Sequence, residues 1–156
     1  MELEHVLPAD IEKTSFEIIT KELGDRVMDP EKAPIIKRVI HTTADFDYAD
    51  TLYFSPDAVE RAKAAIRAGA TIVTDTQMAF SGINKKAAAK FGCEVCCFMA
   101  DEDVAREARE PGTTRARVSM DKAARLDRHT IFAIGNAPTA LIRLRELIDA
   151  GALKPT

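Results

Sequence analysis

Thr71-Ile72-Val73-Thr74 runs directly into Asp75-Thr76-Gln77-Met78. The first four residues are all β-branched, the type that packs well on a pleated surface, and the polar run after them marks the exit of a strand. A helix predicted over 58–68 and closed by Gly69 precedes this strand. The same alternation repeats downstream: apolar strands over 93–99 and 130–134 lie among helices predicted over 84–90, 101–110, 113–126 and 138–150. The strands are short continuous apolar runs, as expected where both faces of a sheet are covered. This order predicts an α/β fold, a mostly parallel sheet flanked by helices in a three-layer, doubly wound arrangement with right-handed crossovers. Ligands of such sheets bind beyond the carboxyl ends of the strands. Those exits are Ser55, Asp75-Thr76-Gln77, Ala100-Asp101 and Gly135-Asn136.

Upstream of the alternation, Ile11, Phe16, Ile19 and Leu23 are helically spaced, which predicts a helix over 8–23 that Gly24 stops. A polar connection over 25–33 follows. Pro34 can begin a second helix, in which Ile35, Ile36, Val39 and Ile40 make one apolar face. Lys37 and Arg38 precede His41 by four and three residues, and Asp45 follows it by four, within reach if the helix extends that far. An imidazole titrates near neutral pH, so His41 reads either as a proton-transferring group or as a helix-end side chain touching backbone and water. Residues 47–50 are expected to turn and 51–54 to form a short strand. Ser55 then caps a helix whose first position is Pro56.

The chain has 156 residues, 46% hydrophobic and 30% charged, with a formal net charge of -3. That size and balance fit one soluble domain over 1–156 with a real core. The acidic balance argues against nucleic-acid binding, which needs a basic face, and Trp is absent, so base-stacking platforms are scarce. No apolar run reaches the length of a membrane span, and no secretory pattern opens the chain. Three cysteines do not suggest a disulfide scaffold, so a cytoplasmic setting is expected. Cys93-Glu94-Val95-Cys96-Cys97 has a CxxC spacing, but inside a predicted strand, where buried thiols are the better account than a redox or zinc site. Asp45, Asp47 and Asp50 lack the glycine and closing glutamate of a calcium loop and read as a solvated acidic turn.

Gly135-Asn136-Ala137-Pro138-Thr139-Ala140 is a strand-to-helix turn. It can present free N–H groups to a carboxylate or phosphate, or be a plain turn with an Asn cap. Thr76, with Ser81-Gly82-Ile83 beyond it, belongs to a second exit with the same two readings. No phosphate loop and no glycine-rich dinucleotide fingerprint is present. Arg115, Arg117, Lys122, Arg125 and Arg128 form a cationic segment, either a solvated face or a surface for a polyanion.

Several separated motifs occur in order: Ser15-Phe16-Glu17-Ile18-Ile19, Arg38-Val39-Ile40-His41, Phe54-Ser55-Pro56-Asp57, Ala68-Gly69-Ala70, Asp75-Thr76-Gln77-Met78 and Gly135-Asn136-Ala137-Pro138-Thr139-Ala140-Leu141. Together they resemble the precorrin-8X methylmutase family, also met as cobalt-precorrin-8 methylmutase, over essentially all of residues 10–155. The resemblance implies a homodimeric α/β isomerase of cobalamin biosynthesis. Such an enzyme moves a methyl group from ring carbon 11 to ring carbon 12 of a corrin precursor, giving hydrogenobyrinate or its cobalt form. It implies a corrinoid small-molecule substrate, no separate cofactor and no metal. A tetrapyrrole-binding homologue without catalysis is the alternative.

The family's catalytic histidine falls on His41, and its substrate contacts fall on Ser15 and Arg38. Thr76, Arg115, Arg117, Asn136 and Thr139 are carried over as further substrate-binding positions. Family members continue beyond the point where Leu153-Lys154-Pro155-Thr156 ends this sequence. The resemblance therefore leads one to expect the C-terminal quarter of the family fold, with its last strand and helix, to be absent.

Overall fold

The computed structural model describes Leu7 and residues 10–154, so the helix start expected at Pro8 lies outside the described residues. The chain divides into two compact units, 1–59 and 60–156.

The first unit holds α1 (Ile11–Leu23), α2 (Ala33–Thr43) and the single turn α3 (Tyr48–Thr51). Ile19 and Leu23 of α1 bury against Ile36 and Ile40 of α2, and Met28, Phe46, Tyr48, Leu52 and Phe54 pack around them. Ile40 is 1% exposed. Burying an aliphatic side chain of this size contributes about 1.5–3 kcal/mol, so this apolar seam is what pairs the two helices. The strand expected over 51–54 does not form. Thr51 closes α3, and Leu52 and Phe54 turn into the apolar cluster while Tyr53 between them is 84% exposed. A loop laid over a helix pair thus gives the alternation of a strand without a backbone partner. The turn expected over 47–50 is largely that helical turn.

α4 (Ala58–Arg67) carries the chain into the second unit. It does not start at Pro56, because Asp57 is left-handed (φ 57) and cannot belong to the helix. The Ala58 N–H instead donates to Ser55 O at 3.2 Å, closing a turn. Gly69 ends the helix at φ +77, and a Cβ there would stand 3.2 Å from the carbonyl oxygen of Gly92. Only glycine meets both conditions without strain.

β1 (Thr71–Thr74), β2 (Glu94–Cys96) and β3 (Thr130–Ala133) form a parallel sheet in the order β2-β1-β3. Thr71 aligns with Glu94 on one side and Thr130 on the other. The helices around it are α5 (Gln77–Gly82), α6 (Lys85–Ala89), α7 (Glu102–Arg109), α8 (Arg115–Ala124) and α9 (Pro138–Asp149). This is the α/β fold of parallel strands flanked by helices that the alternation predicted. Val73, fully buried, packs with Ala116, Met120 and Ala123 of α8 and Ala140, Leu144 and Leu147 of α9.

One detail differs from expectation: β2 is shorter than 93–99, because β1 offers it partners over only three residues. At the exit after β1 the Thr76 hydroxyl accepts the Ala79 N–H at 3.2 Å and starts α5 at once, a capped turn. The three cysteines are free thiols, Cys93 buried and Cys96 and Cys97 half-buried. Burial, with the nearby Glu94 carboxylate, pushes the Cys96 thiol up and away from the reactive thiolate. Among the described residues no helix is long and apolar enough to cross a membrane.

Candidate functional site

His41 sits in the last turn of α2, half-buried. The carbonyls of that turn are satisfied without it. Thr42 and Thr43 donate their hydroxyls to Arg38 O and Val39 O, and the N–H of Ala44, left-handed at φ 56, donates to Ile40 O at 2.7 Å. The left-handed cap also decides the fate of Asp45. The helix stops before it, and its carboxylate accepts the Asp47 N–H at 2.9 Å rather than meeting the imidazole. The ring of His41 lies on Phe16 of α1, with centroids 5.6 Å apart and planes inclined by 29°. The Arg38 guanidinium lies over the same phenyl ring at 4.9 Å.

Arg38 is also paired with Glu12 at 2.7 Å, and Lys37 donates to the Thr20 hydroxyl at 2.9 Å. The Arg38 hydrogen bond and charge hold the Glu12 carboxyl below its usual range, and the charge of His41 adds to this. Glu12, Phe16, Glu17 and Thr20 line an open hollow along α1, with Lys13 and Lys21 at its edges. Ser15 is half-buried, next in sequence to Phe16. Among the described residues no hydrogen bond joins it to His41 or Arg38. This unit therefore presents an imidazole whose nitrogens make no hydrogen bond among the described residues, beside a cation and stacked on an aromatic ring that lines the hollow.

The second set of expected residues lies in the second unit, at the carboxyl ends of its strands. The turn after β3 was expected to offer N–H groups to an anion, and it does hold one, from within the protein. Asp75 Oδ2 accepts the N–H groups of Gly135, Asn136 and Ala137 at 3.3, 2.8 and 2.7 Å. Burial of this carboxyl, fully shielded from solvent, would raise its pKa; the three N–H donors outweigh that and bring it below the usual carboxylate range. Thr139, at the start of α9, accepts a hydrogen bond from the Thr114 hydroxyl at 2.9 Å. Thr114 in turn caps α8, accepting the Arg117 N–H.

The cationic segment is mostly committed. Arg117 pairs with Glu146, Lys122 with Asp101 and Asp103, Arg125 with Glu107, and Arg128 with Glu94. Glu146 also takes Arg143 at 2.6 Å. Hydrogen bonds from Arg117 and Arg143 hold its carboxyl down to about 2. Arg115 is exposed and makes no ion pair among the described residues. Of the two readings for this segment, paired surface charge thus accounts for every cation except Arg115. Asp50 is bound to Arg26 at 2.6 Å, and among the described residues no group of three or more His, Cys, Asp or Glu could hold a metal ion.

The expected positions thus form two sets. Arg38 and His41 meet around Phe16, with Ser15 beside it in sequence; Thr139 and Asn136 share the turn that Asp75 holds. Glu12, Phe16, Asp75 and Thr114 were not expected. Phe16 and Asp75 stand inside the quoted motifs, and a charged residue directly after an apolar strand was a signal for Asp75. Nothing local marks Glu12, whose partner Arg38 is distant in sequence.

The comparisons with known proteins identify the family. The family described as CbiC, Precorrin-8X methylmutase, matches residues 10–156. The cobalt-precorrin-8 methylmutase of Priestia megaterium is 47% identical over 150 residues, which are 96% of this chain and 67% of that protein. The precorrin-8X methylmutase of a Sinorhizobium species is 35% identical over 145 residues, 93% of this chain and 69% of that protein. A crystal structure of precorrin-8x methyl mutase from Thermus thermophilus superposes with a TM-score of 0.82 at 39% identity, covering 92% of this chain and 69% of that one. This chain therefore spans about two thirds of the length of these relatives. With a family match over residues 10–156 and a relative 47% identical over 96% of its length, the chain belongs to the precorrin-8X methylmutase family.

Proposed function

We propose that this chain is an isomerase acting on precorrin-8X or its cobalt form in cobalamin biosynthesis, with His41 as proton donor and acceptor. The observation that supports the reading is the half-buried His41 ring stacked on Phe16, a residue that lines the α1 hollow and also carries the Arg38 guanidinium. In the reaction His41 gives a proton to the conjugated macrocycle. The methyl group then leaves ring carbon 11 and bonds to ring carbon 12, and the proton returns to the imidazole. Atoms and charge balance, as an isomerisation requires. Protonation draws electrons from the ring and lowers the barrier to migration, and binding holds the macrocycle in the reactive shape.

The substrate carries many carboxylates, and Arg38 and Arg115 are the cations suited to receive them. The hydroxyls of Ser15, Thr76 and Thr139 and the Asn136 amide supply further contacts. Arg117, engaged with Glu146, contributes positive potential rather than a free fork. The working protein is a cytoplasmic homodimer in this reading, and it uses no separate cofactor.

The test is turnover of precorrin-8X followed by its visible spectrum, with hydrogenobyrinate binding measured in parallel. His41→Ala is expected to lower the rate about 10²–10⁴-fold, the usual share of one general acid–base group, while product binding survives. Unchanged turnover removes His41 from the mechanism. Tight corrinoid binding by the unaltered protein without methyl migration makes it a tetrapyrrole-binding homologue instead.

A further inference from the structure

We infer that Asp75 is a positioning residue, whose carboxylate fixes the 135–137 turn and through it the Asn136 and Thr139 groups offered to the substrate. The inference rests on the methylmutase reading above. Asp75 follows the central strand β1 directly and is 0% exposed. A carboxylate is retained in such a place only where hydrogen bonds replace its water. Its oxygens divide unequally: Oδ2 takes three backbone N–H groups, and Oδ1 is buried with no partner among the described residues. The carboxylate is therefore spent on the turn alone.

The turn needs that hold. α9 begins after Ala137, and the N–H groups of Gly135, Asn136 and Ala137 precede it, outside any helix or strand bonding. Gly135 has no side chain and Ala137 no side-chain oxygen, so neither offers the turn an acceptor. The Asp75 carboxylate, at the end of the neighbouring strand, supplies it. Gly135 and Asn136 are exposed and directly follow the carboxyl end of β3, the place where ligands of parallel sheets bind.

Asp75→Ala and Asp75→Asn separate positioning from simple folding. Asparagine keeps one acceptor oxygen for the turn; alanine keeps none. Asp75→Ala is expected to raise the KM for precorrin-8X about tenfold or more while kcat changes less than about threefold, with Asp75→Asn between it and the unaltered protein. Amide hydrogen exchange at residues 135–137 should quicken in the same order. A variant that merely lost folded protein would lower kcat at constant KM, and that result overturns the inference. Should Asp75→Ala fail to fold, Asp75→Asn decides alone: unchanged KM and unchanged exchange at the turn reject the role. If the unaltered protein neither binds hydrogenobyrinate nor turns over substrate, the methylmutase reading fails and this role with it. A defect confined to the Asp75 variants cannot be confused with that outcome.

Discussion

Glu12 and Arg38 meet at 2.7 Å, yet their side chains keep 61% and 53% of their exposure. An ion pair so open to water contributes little to stability. Its consequence is for binding instead. The guanidinium proposed to receive a substrate carboxylate already holds one, so the ligand must displace Glu12 or share the cation with it. Glu12→Gln removes the competitor and one repulsive charge at the hollow. It is expected to tighten hydrogenobyrinate binding about 2- to 10-fold in an absorbance titration, which is about 0.4–1.4 kcal/mol, with little change in thermal midpoint. Weaker or unchanged binding would take Arg38 out of the substrate contacts. At this scale the sequence was informative about residue type and poor about partners. His41 and Arg38 stood out because one helical turn joins them; Phe16 and Glu12, which complete their surroundings, come from another helix. Spacing within a helix reports only neighbours on that helix.

Elements were legible where local chemistry and tertiary demand agreed. The helix predicted over 84–90 begins where expected, because the Asn84 side chain accepts the Ala87 N–H at 3.0 Å and caps α6. The 51–54 segment misled because alternation reports which side chains are buried and not what the backbone bonds to. At Pro56 the local signal was sound, but Asp57 beyond it turns left-handed and delays the helix. Glycines make this contrast measurable. Gly69 is left-handed and faces the Gly92 carbonyl, whereas Gly82 ends α5 with nothing within 4 Å of an added Cβ. Gly69→Ala is expected to cost about 1–2 kcal/mol for the left-handed backbone alone, before the 3.2 Å contact is relieved. Gly82→Ala should be neutral or stabilising by up to about 1 kcal/mol. Urea midpoints of the two variants at constant slope check the pair. Equal losses at both sites would mean that the backbone angle at Gly69 carries no special demand.

Across the whole molecule, internal carboxylates hold many of the positive groups of the described residues. Glu12 holds Arg38, Glu146 holds Arg117 and Arg143, Asp101 and Asp103 hold Lys122, and Asp75 holds the N–H groups of the turn before α9. The fold class was readable because strand and helix alternate along the chain, and family motifs placed the residues. This internal pairing was not readable, since net charge counts residues without saying which of them meet. It predicts how the protein responds to acid. The carboxyls of Glu12, Asp29, Asp75, Asp103 and Glu146 all lie below their usual values in the folded state. A group depressed on folding stabilises above its unfolded pKa, and that contribution is lost as pH falls through the folded value. For Glu146 the window runs from the ordinary glutamate value, near 4.3, down to about 2. Its side chain is 42% exposed, so solvent screens the effect, and added salt should shrink it further. Glu146→Gln is accordingly expected to lower the urea midpoint at pH 7, where the carboxylate bridges Arg117 of α8 and Arg143 of α9. The difference from the unaltered protein should narrow below pH 4 and vanish only at pH values below the folded value of about 2, where both side chains are neutral. A difference that persists unchanged across that range would assign the loss to packing between α8 and α9 rather than to charge.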